Sequence, residues 1–439
     1  MKNIKPIDRP VFWVGLNSYQ GLGLLKTART KNIENYYIIC LEKDSVVDRL
    51  RKEKANIFCL EEVAEIKSIP RNTGHLLAHP LTAEYIKKHS QQQIPIVAFF
   101  KPSAKIAFLC KKHCWIMAGN DPKLASFFED KINFFTWGKK NNLPVIPGEI
   151  VKPSKEILPR WSFPFVAQLK RGWAGKCSFI IRSENDFLNL IKSGYPKAKI
   201  TPFIDGQTYT NNGCILAGGK ILVGPPGQQI SSIPALCKNL LSTTGRQWPA
   251  NIDEKQKAII KKTTIRLGEL MYQKGYRGFF GTDFIITDEG KIYLLECNPR
   301  LTASFVFYSQ LEQESGSVPL LWRHLSVFAE NESACKDIDS SLELLGSEII
   351  QRNNQKKTIK ISADIPSGQY NSDGRKVGDN LSPKKDSLLV ICKPSNSIIK
   401  EGDELFKIIS KKAAVDKNNN LSTDIDSLRQ IILSTIEKQ

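Results

Sequence analysis

The sequence contains the stretch Leu294-Leu295-Glu296-Cys297-Asn298-Pro299-Arg300, and this stretch decides the fold class of the chain. It follows a short aromatic run and the turn Asp288-Glu289-Gly290, a context that predicts a β-strand. Side chains two positions apart on a strand point to the same face of the sheet. We therefore expect Glu296, Asn298 and Arg300 to lie together.

A second strand is predicted immediately upstream, over residues 278–286, and it carries Asp283. A hairpin between the two strands would place Asp283 beside Glu296. The two carboxylates and the amide oxygen of Asn298 would then converge, with the guanidinium of Arg300 at the rim. Hard oxygen ligands of this kind suit a Mg²⁺ ion that carries a substrate phosphate. One Asp and one Glu alone would favour a simpler alternative, a buried hairpin with a few charges at its edge.

Residues 278–304 resemble the metal-binding hairpin of the ATP-grasp superfamily, in its carboxylate–amine (peptide) ligase and biotin-carboxylase-like branch. In that family a strand acid and a Glu-x-Asn-Pro-Arg segment hold magnesium–ATP. The resemblance implies ATP and Mg²⁺ (or Mn²⁺) as cofactors, and Asp283, Glu296 and Asn298 as metal ligands. It implies that Arg300 is catalytic, because it would pair with the acceptor carboxylate and stabilise charge on the transferred phosphoryl group.

The resemblance also implies a set of nucleotide-binding residues. A lysine after an Asp would contact the α-phosphate, and backbone groups of a hinge segment would read the adenine edge. A glycine-bearing loop between two predicted strands, residues 171–178, is expected to cover the phosphates, although a plain hairpin turn is an alternative. The predicted residues are Lys131, Gln168, Lys170, Gly172, Gly175, Lys176, Thr201, Phe203 and Ile204.

One position departs from the family pattern. Relatives usually place a lysine in the strand before the glycine-bearing loop, and this chain has Gln168 there. Glutamine donates hydrogen bonds but carries no charge. Lys170 lies two residues further along the same strand face, so we expect it to serve as the substitute.

The chain has 439 residues, enough for about three domains. Alternating strands and helices near the N-terminus predict a doubly wound parallel sheet. The loop at residues 15–23 lacks a Gly-x-Gly-x-x-Gly pattern, which favours a tight turn over a dinucleotide site. We predict an α/β and α+β multidomain fold with a Rossmann-like domain (1–118), an ATP-grasp N-terminal subdomain (119–200), a C-terminal subdomain with the metal site (201–330), and a small C-terminal β-rich domain that ends in a helix (331–439).

The formal net charge of +19 has three explanations: a nucleic-acid binder, an enzyme for anionic substrates, or a lysine-rich genome. The basic residues occur in short pairs such as Lys111-Lys112, and no basic block is interleaved with aromatic residues as in a base-stacking groove. This distribution favours a solvated basic surface, so a nucleic-acid partner is not expected.

Other features of the sequence bound its class. No apolar run approaches the ~18–20 residues of a membrane span, and the N-terminus lacks the apolar segment of a secretory signal. The ten cysteines show neither a zinc-site spacing nor a disulfide framework, which suits a reducing cytoplasm. A cytoplasmic protein without a membrane partner is expected, and a homodimer is left open.

Together these features predict an ATP- and Mg²⁺-dependent ligase that joins a carboxylate and an amine of amino acids or short peptides. The reaction would pass through an acylphosphate and release ADP. Two alternatives are a biotin-carboxylase-like enzyme, although the chain has no Met-Lys-Met biotin-attachment motif, and a nonenzymatic basic nucleic-acid-binding protein. We expect loops at residues 225–250 and 301–316 to shape the pocket.

Overall fold

The computed structural model describes residues 7–30, 35–170, 177–330, 342–361, 365–395 and 397–437. Within these ranges the strands form four sheets, and helices pack on the faces of the larger ones. The combination of a parallel sheet with antiparallel sheets confirms the predicted α/β and α+β fold class. Over the same ranges, no helix is both long and apolar enough to cross a lipid bilayer.

The N-terminal sheet is parallel, as the strand–helix alternation predicts, and its strand order is β3-β2-β1-β4-β5. Its elements are β1 (Val11–Gly15), α1 (Leu22–Thr30), β2 (Tyr36–Cys40), α2 (Ser45–Lys52), β3 (Asn56–Cys59), α3 (Thr73–Ala78), α4 (Pro80–His89), β4 (Ile96–Phe99), α5 (Ala104–Lys112) and β5 (Ile116–Met117). The strand order reverses between β1 and β4, and such a switch point opens a crevice at the carboxyl ends of the strands.

A four-stranded antiparallel sheet follows, with strand order β6-β9-β7-β8. Its segment contains α6 (Pro122–Glu129), α7 (Lys131–Lys140), β6 (Glu149–Val151), β7 (Phe165–Gln168), β8 (Ser178–Ile181), α8 (Glu184–Lys192) and β9 (Ala198–Pro202). Ala198 and Ile200 join the apolar core on one face of this sheet. Alternation along β9 therefore directs Lys199 and Thr201 to the opposite face.

The largest sheet is antiparallel and has strand order β15-β14-β10-β12-β13-β16-β22-β20-β18-β19, with β11 paired to β10. A separate pair joins β17 and β21. The elements are β10 (Gln207–Ile215), β11 (Ile221–Val223), β12 (Gly227–Ile230), β13 (Gly245–Trp248), α9 (Glu254–Gln273), β14 (Gly278–Ile286), β15 (Ile292–Asn298), α10 (Phe305–Glu314), α11 (Leu320–Phe328), β16 (Gly346–Arg352), β17 (Ile359–Lys360), β18 (Gly368–Tyr370), β19 (Lys376–Gly378), β20 (Leu388–Cys392), β21 (Ile398–Ile399), β22 (Glu404–Ser410) and α12 (Thr423–Glu437). The sheet runs continuously across the predicted boundary between residues 330 and 331, and the four-part domain division stays a prediction.

The expectation of a loop over residues 301–316 is wrong, because α10 occupies most of this segment. Positions from Phe305 to Gln313 are all buried, so the helix has no polar stripe that would reveal a helical period in the sequence. Phe305 stacks on Trp13 of β1 with ring centroids 5.2 Å apart, while Phe307 packs against Trp248 of β13. The helix thereby joins the parallel sheet to the largest sheet through one apolar core.

A buried histidine fixes α11 against the rest of this core. His324 is 6% exposed. Its Nδ1 accepts a hydrogen bond from the backbone N–H of Phe279 at 3.0 Å, so Nε2 carries the proton and donates to the carbonyl of Ala118 at 3.1 Å. A proton on Nδ1 would face the Phe279 N–H directly. The fold therefore requires a neutral imidazole.

We predict that His324 makes the fold acid-sensitive. Burial lowers its pKa to about 4, whereas an unfolded histidine titrates near 6.5. Below pH ~6.5 His324 binds a proton in the unfolded chain but stays neutral in the native protein. The free energy of unfolding therefore falls until the pH reaches about 4. At pH 5 the free energy of unfolding is lower by about 2 kcal/mol. Urea denaturation at pH 7.5 and pH 5 measures this difference.

The matched variant is His324→Gln, whose amide can keep both hydrogen bonds but does not titrate. Its loss of stability between pH 7.5 and pH 5 should be smaller than that of the wild-type protein by about the same 2 kcal/mol. Identical pH dependence in the two proteins would contradict the assignment.

Candidate functional site

A β-bulge in the hairpin of β14 and β15 sets the direction of the acidic side chains. The pairing shifts register between Asp283, which lies opposite Glu296, and Phe284, which lies opposite Leu294. Leu295 is the extra residue. Leu294 and Phe284 pack in the core beneath α9, and the bulge turns Glu296 to the other face, beside Asp283. Two-residue alternation alone would have placed Leu294 and Glu296 on one face.

The acid pair is neutralised by a lysine from α7. Asp130 caps this helix, because its carboxylate accepts hydrogen bonds from two backbone N–H groups at 3.1 Å. Lys131 is consequently the first helical residue, and its Nζ forms an ion pair with Glu296. Partial burial opposes ionisation of Glu296, but the Lys131 charge outweighs it and lowers the pKa of Glu296. Burial, together with the Glu296 charge, raises the pKa of Asp283 to about 7.

Asn298 links the acids to the arginine at the end of the strand. Its Nδ2 donates to Asp283 at 3.1 Å and faces Glu296 at 3.4 Å. Its Oδ1 accepts a hydrogen bond from Arg300 at 3.1 Å. The structure therefore brings these four predicted residues together, but the amide nitrogen of Asn298 faces the acids where we expected its oxygen. A flip of the Asn298 amide about its Cβ–Cγ bond would present Oδ1 to the two carboxylates instead.

Arg300 is held by residues from outside the hairpin, which the sequence analysis missed. Its Nε donates to Glu129 at 3.0 Å, and Glu129 also pairs with Lys101 at 2.5 Å. The guanidinium lies over the Phe100 ring, 5.2 Å from its centroid. Since Phe100 and Lys101 directly follow β4, they bring the crevice of the parallel sheet to Arg300. A small cleft there is lined by Phe99, Phe100, Pro102, Ala118, Gly119, Asn120, Tyr276, Pro299, Arg300, Leu301 and His324.

A second missed group extends from Asp283 across the largest sheet. Gln229 of β12 donates to Asp283 at 2.6 Å, and its strand partner is Arg246 of β13. Arg246 is 8% exposed, and its Nε has no hydrogen-bond partner in the part of the chain that the structure describes. Burial lowers the pKa of Arg246, whereas Asp283 and Glu348 oppose that shift. A buried guanidinium whose Nε has no hydrogen-bond acceptor among the described residues, and which lies near the acid pair, is suited to an anionic ligand.

Lys199, also missed, lies on the opposite wall of the cleft. It is 5% exposed, and its Nζ lies 5.5 Å from the centroid of the Phe135 ring. Burial lowers its pKa to about 8, the Lys131 charge acts in the same direction, and the Glu296 charge opposes it. The sequence held no distinctive signal for this residue, because a lysine between Ala198 and Ile200 fits the ordinary apolar–polar alternation of a strand with one exposed face.

The other predicted nucleotide-binding residues lie along the same wall. Gln168 donates to the Ser178 hydroxyl at 3.0 Å. Lys170, 62% exposed in its side chain, lies 3.4 Å from an Asp130 oxygen. Thr201 is buried on β9. Phe203 and Ile204 are partly exposed. The remaining predicted positions, Gly172, Gly175 and Lys176, lie outside the described residues.

The donor set at the acid pair fits Mg²⁺ that arrives with a nucleotide. In the part of the chain that the structure describes, no three His, Cys, Asp or Glu side chains cluster into an all-protein metal site. Mg²⁺ commonly binds through one or two carboxylates and completes its shell with water and substrate phosphates. Asp283 and Glu296 provide two carboxylates, and Asn298 provides an amide oxygen. These residues therefore suit a magnesium–nucleotide rather than a free ion.

The chain matches a known domain family over the segment that contains this geometry. Residues 128–304 match the family described as "ATP-grasp domain". These residues form an ATP-grasp domain. The match confirms the predicted superfamily for this segment of the chain. The roles of the individual site residues stay predictions.

The proteins to which this chain is similar include biotin carboxylases. Biotin carboxylase 2, chloroplastic, from Populus trichocarpa is 22% identical over 356 residues, which cover 75% of this chain and 64% of that protein. The chain thus spans less than two thirds of this relative. Biotin carboxylase from Campylobacter jejuni has a TM-score of 0.66 at 14% identity, with 99% of this chain and 97% of that chain covered.

A further solved structure is the biotin carboxylase domain of a Hydrogenobacter thermophilus 2-oxoglutarate carboxylase, a dimer in complex with magnesium ADP, ADP and bicarbonate. Its TM-score is 0.63 at 14% identity, and the alignment covers 94% of this chain and 87% of that chain. At such identities the solved structures show that the ATP-grasp domain and its flanking sheets share their fold.

We predict that binding of magnesium–ADP releases a proton from Asp283. Its pKa is raised to about 7 by burial and the Glu296 charge, so near pH 7 the carboxyl is about half protonated. A metal-bound carboxylate must be ionised, and metal binding therefore displaces that proton. Calorimetry in two buffers of different ionisation enthalpy should show about half a proton more released by the wild-type protein than by Asp283→Asn. Equal release by both proteins would contradict this assignment.

Proposed function

We propose that the protein is an ATP- and Mg²⁺-dependent carboxylate–amine ligase that acts on amino acids or short peptides. The observation that carries this proposal is the order of charges along one cleft. Lysines lie on the nucleotide side of the cleft, and the acid pair of Asp283 and Glu296 lies at its centre. Arg300 and Arg246 lie on the acceptor side. This order matches what a phosphoryl transfer from ATP to a carboxylate requires.

The nucleotide side has both an apolar surface and charge. A small apolar cluster lies on the same face of the largest sheet as Asp283, next to the hinge between β9 and β10. It consists of Ile146, Ile204, Ile285, Tyr293 and Leu295, of which Ile204 and Leu295 are only partly buried. We infer that the adenine ring packs there and that its phosphates extend toward Lys131.

The acceptor side is suited to a carboxylate. In the proposed reaction, a carboxylate oxygen attacks the γ-phosphorus of ATP, and the bond to the bridging oxygen of ADP breaks. Arg300 holds the acceptor and stabilises the charge on the transferred group. The amine nitrogen then attacks the acyl carbon, phosphate leaves, and the amine proton passes to solvent. Mg²⁺ held by Asp283, Glu296 and Asn298 would neutralise the phosphate charge.

The buried Arg246 supports a small anionic acceptor in this cleft. Its Nε has no hydrogen-bond partner within the described ranges, and its charge lies within electrostatic reach of Asp283 and Arg300. A carboxylate that enters between the arginines would supply the missing hydrogen-bond acceptor. Glu129 pairs with Arg300, so an entering acceptor must compete with an internal carboxylate.

A biotin-carboxylase-like reaction is the second candidate, and the similarity to biotin carboxylases along nearly the whole chain favours it. Bicarbonate would then be the acceptor oxyanion, and a biotin on a separate carrier would be the nucleophile. The two reactions differ in what ADP release requires. A screen that tests amino acids in pairs, and bicarbonate with free biotin in parallel, separates the two reactions.

We further propose that the protein is cytoplasmic and has no nucleic-acid partner. Whether it forms a homodimer stays open.

The acid pair provides the decisive test of the proposed function. Glu296→Ala removes one carboxylate, so we expect amino-acid-dependent ADP formation to fall by about 100-fold or more. The measurement is ADP release in a coupled assay with the acceptor pair that the screen identifies. Glu269→Gln, an exposed substitution on α9, is the matched control and should keep wild-type turnover. Unchanged turnover in Glu296→Ala, with a wild-type melting transition, would refute the metal assignment.

Arg246→Gln tests the acceptor side separately. It removes a buried charge that we assign to the acceptor, so KM for the carboxylate substrate should rise about 10-fold or more. The dissociation constant for magnesium–ADP should stay close to that of the wild-type protein. Arg266→Gln, an exposed arginine on α9, provides the control. Equal losses of nucleotide and acceptor affinity would contradict the role of Arg246.

A further inference from the structure

Lys199 is a buried cation without a hydrogen bond or an ion pair to the other described residues. It is 5% exposed. The nearby ring of Phe135, 5.5 Å from Nζ, provides a cation–π contact. Such a contact compensates only in part for removing an ammonium from water, because buried charges are ordinarily paired with an opposite charge.

The charges around Lys199 do not supply that opposite charge. Two charged groups influence it from the elements packed around it, Lys131 of α7 and Glu296 of β15. Lys131 repels it. Glu296 attracts it, but Glu296 already forms its ion pair with Lys131. Among the described residues, the two charged groups that act on Lys199 therefore leave it without an anion of its own.

The register of the four-stranded sheet places this charge beside Gln168. Lys199 of β9 lies directly opposite Gln168 of β7, and such pairs have Cβ atoms about 5 Å apart on the same face. The substitute that we expected from the sequence, Lys170, is 62% exposed and lies near Asp130. Lys199 is therefore the buried lysine closest in register to the uncharged position.

We propose that Lys199 binds a phosphate oxygen of the nucleotide and supplies, from the neighbouring strand, the positive charge that Gln168 lacks. This inference rests on the proposed use of ATP, and it concerns only nucleotide binding. An entering phosphate would provide the acceptor that the ammonium needs, and Lys131 and Lys199 would approach it from α7 and from β9. Of the predicted hinge residues, Thr201 lies on the same strand β9, and Phe203 directly follows that strand.

The test is a nucleotide series measured by calorimetry. Lys199→Met keeps the packing against Phe135 but removes the charge, so ADP affinity should fall about 10-fold or more. Adenosine affinity should stay at the wild-type value, since adenosine has no phosphate. The matched control is Lys197→Gln, an exposed lysine just before β9, which should change neither affinity. Wild-type ADP affinity in Lys199→Met, or an equal loss for adenosine, would overturn the proposal.

A relocated charge provides the second measurement. Gln168→Lys combined with Lys199→Gln returns a lysine to the strand before the glycine-bearing loop, and this double variant should recover most of the ADP affinity that Lys199→Gln alone loses. A double variant as weak as the single one would show that the two positions do not serve one phosphate and would overturn that part of the proposal.

The outcomes also separate this inference from the proposed function. ADP binding is measured without any acceptor. Wild-type binding of ADP together with failure of every acceptor pair would refute the ligase assignment and leave the Lys199 result valid. A wild-type protein that bound no adenine nucleotide would overturn both.

Discussion

The site depends on the cost of placing two carboxylates side by side in a partly dry cleft. Asp283 and Glu296 face one another across a strand pair, and neither can keep its charge there without compensation. Lys131 neutralises Glu296, while Gln229 and Asn298 donate hydrogen bonds to Asp283. A divalent cation with its nucleotide would satisfy the same pair far better, which is why an arrangement that is costly alone is suited to binding.

The architecture follows from the need to bring several separate chain segments to that pair. Lys131 comes from the start of a capped helix, and Lys199 comes from a four-stranded sheet on the nucleotide side. The parallel sheet contributes Lys101 at its carboxyl edge, through Glu129 and Arg300. The buried helix α10 joins that sheet to the largest one. The three larger sheets thus each supply one wall of a single cleft, so the cleft exists only when these sheets are packed together.

The agreement between sequence and structure was best where local pattern decides the outcome. The parallel N-terminal sheet and the paired strands β14 and β15 were both predictable. Prediction failed at α10, which is buried on every side and has no polar stripe. It also missed Arg246 and Lys199, because a charged residue in a strand looks like surface until tertiary packing covers it.

By itself the sequence determined which residue types could meet. It was predictable that Asp283 lies on one strand and that Glu296 and Asn298 lie on the next, because hairpin pairing and alternation are local properties of the chain. Only the tertiary structure decided which way they point. The bulge at Leu295 lets Leu294 enter the core while Glu296 turns to the cleft, and this extra residue is fixed by packing of both faces. The cations that complete the site lie far away in sequence, and long-range packing alone brings them to the acids.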